Sequence, residues 1–260
     1  MSPSSILFEQ TGGVAVIRLN RPEKLNSLSW EMIRELSETF LQLEGDDDLR
    51  AVILTAAGDV AFCSGTDISE LAELSEAEAI EVAAHGQRLC DQIKAFPVPV
   101  IAALNGIAAG SGCELTLACH LRIASSDATF SLHETKLGLI PSYGGTPRLA
   151  REAGTSRALE IMLTEKTITA AEALSIGLVN RVVNAADLLT EAKSLANEIS
   201  QMAPLAIRAC LKAVRLGLEF SLEDGLALVT ELFASLFTTE DVHEGTSAFL
   251  EKRSPVFKGR

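Results

Sequence analysis

Two short apolar runs constrain this chain most. "AVILT" from Ala51 and "VPVIAAL" from Val98 carry no charge, and each reads as a buried strand. Helical patterns separate and flank them. Ser29 is placed to cap "WEMIRELSETFLQLE", in which Ile33, Leu36, Phe40 and Leu43 recur at helical spacing, and "AIEVAAHGQRLCDQI" is helical again. Strands alternating with helices predict βα units around a mainly parallel sheet. Ahead of them, Ile6 to Leu19 reads as a hairpin around the turn "TGG".

After Leu121 the pattern changes. "LRIAS" and "ATFSL" read as short strands, and beyond Gly144 nearly everything reads as helix. "AAEALSIGLV" ends near Gly177, and three further helical segments are expected between about Ala185 and Lys252. From about residue 200 the chain reads as a helical appendage. Its apolar stripe of Leu226, Val229, Phe233 and Leu236 suits packing on the core, the more ordinary outcome, or on a second subunit.

With 47% apolar and 22% charged residues, the 260-residue chain has ordinary globular usage. A net charge of -13 opposes broad attraction to nucleic acid or an anionic membrane. "MSPSSILFEQ" has no secretory pattern, and the most apolar segment is broken by Pro97, Pro99, Asn105 and Gly106, so a cytoplasmic setting is expected. The five cysteines (Cys63, Cys90, Cys113, Cys119 and Cys210) are odd in number and lack a C-x-x-C pair, which predicts free thiols. "GIAAGSGCEL" has Leu115 where a dinucleotide fingerprint needs its third glycine, and the P-loop and nucleophile-elbow patterns are missing. His85, His120, His133 and His243 lie in no triad or metal motif, and no metal is expected.

Two loops remain. "AFCSGTD" and "NGIAAGSGCEL" follow the two apolar strands, where parallel architectures bind ligands. Their small residues let a backbone come close to a ligand, and a helix starting near Ser111 would aim free N–H groups at the same place, the recipe for an oxyanion hole. Glu114 falls in the first turn of that helix, where the dipole favours its anion and burial opposes it. A second acid, Glu134 in "FSLHETKLGLIP", follows a short strand. Two such carboxylates suit proton transfer beside a carbonyl, and they equally suit plain capping of helix N-termini.

The chain resembles the crotonase (enoyl-CoA hydratase/isomerase) superfamily along nearly its whole length. The resemblance rests on "NRPEKLNSLS", "AFCSGTDISEL", "IAALNGIAAGSGCELTLACHLRIAS", "FSLHETKLGLIPSYGGTPRL", "AAEALSIGLVNRVV" and "EGTSAFLEKRSPVFKGR" in this order. It implies an α/β fold: a spiral of β-β-α turns carrying the acyl-CoA site over residues 1–200, and a helical region over 201–260 that builds trimers or dimers of trimers. It also implies an acyl-CoA thioester held by the amides of Thr66 and Ser111. Glu114 and Glu134 match the two glutamates of the hydratases, which add water across a 2,3-double bond. Isomerase-type members usually keep an acid only at the second position.

By the same resemblance, coenzyme A belongs to the substrate, no separate cofactor is needed, and binding falls to Lys24, Ser64, Thr66, Asp67, Ile68, Ser69 and Ser111. Phe257 and Lys258 are expected at a neighbouring subunit's nucleotide. Three positions depart from the common pattern: Ser111 stands in a glycine run, His133 replaces a proline, and Ser142-Tyr143 replace a smaller pair. Tyr143 suits lining the acyl pocket and His133 suits perturbing Glu134, and both suit plain loop packing equally well; Ser111 is expected to strain the backbone if its φ must be positive. The alternatives are another crotonase reaction, isomerase or hydrolase, and a non-catalytic CoA- or RNA-binding oligomer. The charge counts against RNA.

Overall fold

The computed structural model describes residues 4–260. The expected hairpin is present, with β1 (Ile6–Thr11) antiparallel to β2 (Val14–Leu19). Helix α1 (Trp30–Glu44) follows, and its cap is the Ser29 hydroxyl, which accepts from the Met32 N–H.

Three repeats then share one plan, two strands and a helix. The first holds β3 (Ala51–Ala56), β4 (Ala61–Cys63) and α2 (Glu76–Lys94). The second holds β5 (Val100–Leu104), β6 (Ile107–Ala109) and α3 (Ser111–Ala118). The third holds β7 (Leu121–Ser125), β8 (Thr129–Ser131) and, after a 3₁₀ turn at Glu134–Leu137, α4 (Gly145–Ala153). Beyond α4 lie α5 (Thr155–Thr164), β9 (Ile168–Thr169), α6 (Ala170–Ser175), β10 (Arg181–Val183) and α7 (Leu188–Ser200).

The first strand of each repeat enters a six-stranded sheet ordered β1-β2-β3-β5-β7-β10, and the second enters a four-stranded sheet ordered β4-β6-β8-β9. Apart from the β1–β2 hairpin and the β8–β9 pair, all neighbours run parallel. The chain therefore advances as a spiral, one strand per sheet per turn. The fully apolar reading of "AVILT" has its reason here, since Val52 and Leu54 face the main core while Ala51 and Ile53 face a second one under α7, with Ala192 and Ala196.

The C-terminal region differs from expectation in two ways. Beyond Gly144 two strands interrupt the helices; β9 and β10 have two and three residues, too short to show a period of two. Four helices rather than three cover Ala185 to Lys252: α7, α8 (Pro204–Gly217), α9 (Leu222–Leu236) and α10 (Glu240–Glu251). Only three residues part α7 from α8, and Pro204 occupies a first-turn position where a helix tolerates it. The apolar stripe does not pack on the core: Leu226, Val229 and Phe233 are 58%, 46% and 63% exposed, and α8 buries no residue.

The loop between β2 and α1 is held by a residue the sequence reading passed over. Leu25 and Asn26 both take left-handed backbone, with φ of 51° and 54°. Asn26 is buried, accepts from the Arg21 N–H at 2.9 Å, and donates to the carbonyls of Ala57 and Ala61, each at 2.9 Å. It thus ties this loop to the segment joining β3 and β4. Asn26→Ala should lower stability by roughly 3 kcal/mol, since it strands buried backbone groups and puts alanine at positive φ. Urea unfolding checks this, and a loss under about 1 kcal/mol would contradict it.

Candidate active site

The two loops singled out in the sequence meet. After β4 the chain turns through Gly65, whose φ of 111° suits only glycine, into Thr66. Leu28 bridges Thr66 in parallel fashion: its N–H donates to the Gly65 carbonyl at 2.8 Å, and its carbonyl accepts from the Asp67 N–H at 2.9 Å. In a parallel bridge of this kind the amide of the middle residue points away, so the Thr66 N–H is turned from Leu28. After β6 the chain turns through Gly110 into α3, whose first residue is Ser111, and an N–H at that position has no acceptor within its own helix. The two hydroxyls, Thr66 Oγ1 and Ser111 Oγ, stand 2.9 Å apart and join the loops. The positive φ of this turn belongs to Gly110, at 51°, so Ser111 carries no backbone strain and the anticipated penalty does not arise.

Glu114 lies one turn into α3 and is 1% exposed. Its Oε1 accepts two amides that no sequence pattern had pointed to, the N–H of Tyr143 at 2.8 Å and that of Gly145 at 2.6 Å. Gly145 can come this close because a Cβ there would stand 2.6 Å from Glu114 Cγ. Burial nevertheless dominates and pushes the Glu114 carboxyl up to about 7, with the Gly145 amide opposing and the nearby charge of Glu134 adding.

Glu134 opens the 3₁₀ turn after β8, and its Oε1 faces Gly110, 3.2 Å from where a Cβ would be. Its Oε2 is buried without a hydrogen-bond partner. Burial raises this carboxyl as well, and only its own backbone N–H acts against the rise. His133 precedes the 3₁₀ turn, and its carbonyl accepts from the Lys136 N–H. Glu114, Glu134, Thr66, Ser111 and Tyr143 thus form one group, with the carboxylates close enough to raise Glu114 through repulsion. Neither acid serves as the plain N-cap that the sequence left open: Gly110 and His133 hold those positions.

The remaining predicted residues spread outward. Lys24 ends a 3₁₀ turn and is exposed, as are Ile68 and Ser69, whereas Ser64 and Asp67 are half-buried. Asp67 accepts from the Ser69 hydroxyl at 2.7 Å and pairs with Arg21 at 3.1 Å, which holds its carboxyl below the usual range. Phe257 and Lys258 stand apart from this group. Phe257 packs on Gly245 of α10, and the Lys258 N–H donates to Asp241 Oδ1 at 2.7 Å.

Histidines and cysteines fit the structural readings. His120 Nδ1 accepts from the Val100 N–H at 3.0 Å, and burial pushes the ring down to about 4. All five cysteines are free thiols, and four are buried.

The sequence profile of the enoyl-CoA hydratase/isomerase family matches residues 9–260, and the chain belongs to this family, within the crotonase superfamily. It is 40% identical to a short-chain-enoyl-CoA hydratase of Clostridium acetobutylicum across the full length of both chains. A crotonyl-CoA hydratase of Syntrophomonas wolfei is 38% identical over 99% of each. Among solved structures, an enoyl-CoA hydratase from Bacillus anthracis superposes with a TM-score of 0.95 at 39% identity, covering 98% of this chain and all of the other. The α/β spiral is therefore the crotonase fold.

A carboxyl raised from 4.5 to about 7 on folding favours the native state most below pH 4.5, and this contribution is lost as pH climbs through 7. The loss is on the order of 3 kcal/mol. Glu114→Gln should flatten that part of the stability profile; denaturant titrations at pH 5 and pH 8 measure it, and equal slopes in both proteins would refute the assignment.

Proposed function

We propose that the protein is an enoyl-CoA hydratase, a hydro-lyase that adds water reversibly across the 2,3-double bond of an enoyl-CoA thioester. The carrying observation is the pair of buried carboxyls, both raised and mutually repelling, beside two loop amides joined by the Thr66–Ser111 contact. The names and full-length coverage of the hydratase relatives support the same reading.

In this mechanism the thioester oxygen accepts from the Thr66 and Ser111 N–H groups, which stabilise the enolate-like charge; one such donor is typically worth about 10² to 10³ in rate. Oε1 of Glu114 is occupied by two amides, so Oε2 is the oxygen that takes a proton from water as the hydroxyl attacks C3. Glu134, held towards its neutral form by burial, delivers a proton from its unpartnered Oε2 to C2. Bond formation at C3 and protonation at C2 together add one water. The two acids then differ by one proton in opposite senses, and solvent exchange restores them. Interacting carboxyls titrate as a pair, so activity should follow two macroscopic ionisations.

The coenzyme A portion of the substrate lies along Lys24 and the segment from Ser64 to Ser69. Residues 201–260 form an oligomerisation region that builds a trimer or a dimer of trimers, in which Phe257 and Lys258 reach a neighbour's nucleotide. Support comes from the uncovered apolar side chains of this region, among them Leu218, Leu222, Phe233 and Phe249. A cytoplasmic setting suits the free thiols. Among the described residues no helix is long and apolar enough to cross a membrane.

Glu114→Gln and Glu134→Gln should each slow hydration of crotonyl-CoA by about 10² to 10⁴, followed as loss of the conjugated thioester absorbance. Wild-type rates in either variant would refute the two-carboxyl mechanism. Sedimentation should show three or six chains per particle, and Phe233→Glu should release smaller species; a monomeric wild type would refute the oligomer.

A further inference from the structure

We infer that Tyr143 is the residue that sets the acyl-chain length this site accepts, its ring forming a rigid wall of the acyl pocket. The inference rests on the hydratase reading above, because that reading fixes where the acyl group runs. With the thioester carbonyl at Thr66 and Ser111 and C3 beside Glu114, the next carbons meet the residue whose own N–H holds Glu114.

Four observations make this residue a wall rather than a movable side chain. Its backbone is fixed at three points: the N–H donates to Glu114 Oε1, the carbonyl accepts from Arg148 Nη1 at 2.7 Å, and the preceding Ser142 carbonyl accepts from Gln87 Nε2 at 2.8 Å. The ring is 1% exposed and presses flat on Gly86, in the middle of α2, where any Cβ would collide with it. Glycine weakens a helix interior, so α2 accepts a local loss of stability at the position that seats the ring. Finally, Glu114, Cys90 and Cys63 lie near enough for their charges to act on its hydroxyl, with burial the larger influence.

The hydroxyl sharpens the picture. It is buried with no hydrogen-bond partner, the Thr66 hydroxyl lying beside it without the geometry of a full bond. A polar group stranded this way gains nothing for folding, so it is the ring's volume that accounts for an aromatic residue here. The site accordingly takes short, unbranched enoyl groups, and each further methylene has to displace the ring.

The test is a series of trans-2-enoyl-CoA thioesters of four, six, eight and ten carbons, assayed with wild type, Tyr143→Phe, Tyr143→Leu and Tyr143→Ala. The readout is the kcat/KM for ten carbons relative to four, which a disturbance of Glu114 alone would not move because it slows every length alike. Wild type should favour four carbons steeply. Tyr143→Ala should raise the ratio by about tenfold or more, the scale of discrimination that a filled apolar pocket provides. Tyr143→Phe should keep the wild-type ratio. If the alanine variant does not fold, Tyr143→Leu, which removes less volume, should shift the ratio in the same direction.

Unchanged ratios in both the leucine and alanine variants would overturn the proposal, as would a phenylalanine variant that behaves like alanine. Calorimetry with saturated acyl-CoA thioesters of the same lengths separates this failure from that of the reaction. A wild type that hydrates nothing, but whose length preference in binding is lost in Tyr143→Ala, refutes the hydratase and keeps the wall. Binding insensitive to Tyr143 refutes the wall whatever the chemistry.

Discussion

The contact on which the site depends is the acceptance of two backbone amides by one oxygen of a carboxyl buried in α3. Without Tyr143 N–H and Gly145 N–H, Glu114 would have only the dipole of its own eight-residue helix and the charge of Arg148 to oppose the penalty of burial. The amides reduce that penalty without cancelling it, and the outcome is a carboxyl near 7 rather than a permanently neutral acid or a permanently charged one. The same contact binds α3 to the start of α4. At the opposite end, Arg122 donates to the carbonyls of Thr116 and Cys119 as α3 finishes and pairs with Glu152 of α4 at 2.6 Å. A short helix gripped at both ends against one neighbour has little freedom to shift, and Ser111 and Glu114 inherit that rigidity.

Much of this was legible in the chain itself. The runs around Ile53 and Ile101 are apolar on both faces because central strands of a parallel sheet have no solvent side, so their character survives any detail of packing. Ser29 as a cap, Ser111 as a helix start and the placing of Glu114 and Glu134 after small strands follow from local spacing, and the structure agrees. Strands β9 and β10 were invisible for an opposite reason. Their two and three residues are strands only because β8 and β7 lie beside them, and a partner is not a property of a short segment.

Contacts across long sequence separations were equally silent. Tyr143 N–H and Gly145 N–H are backbone groups, which every residue has, so nothing in their letters announces a partner 29 or 31 positions earlier. Asn26 had a weak signal, being among the residues that tolerate left-handed backbone, yet its three bonds reach as far as Ala61. The stripe on α9 shows the limit of pattern in another way: periodicity identifies an apolar face without saying whether the covering surface belongs to the same chain.

The alternation of strands between the two sheets has a consequence for the spacing of the loop amides. Thr66 follows β4 and Ser111 follows β6, and these strands are neighbours in the smaller sheet. Adjacent strands lie about 4.8 Å apart, which is also about the separation of two N–H donors sharing one oxygen at ordinary hydrogen-bond lengths. The oxyanion site proposed above would thus take its gauge from the β-ladder, inherited from the backbone, while the side chains around it are free to diverge.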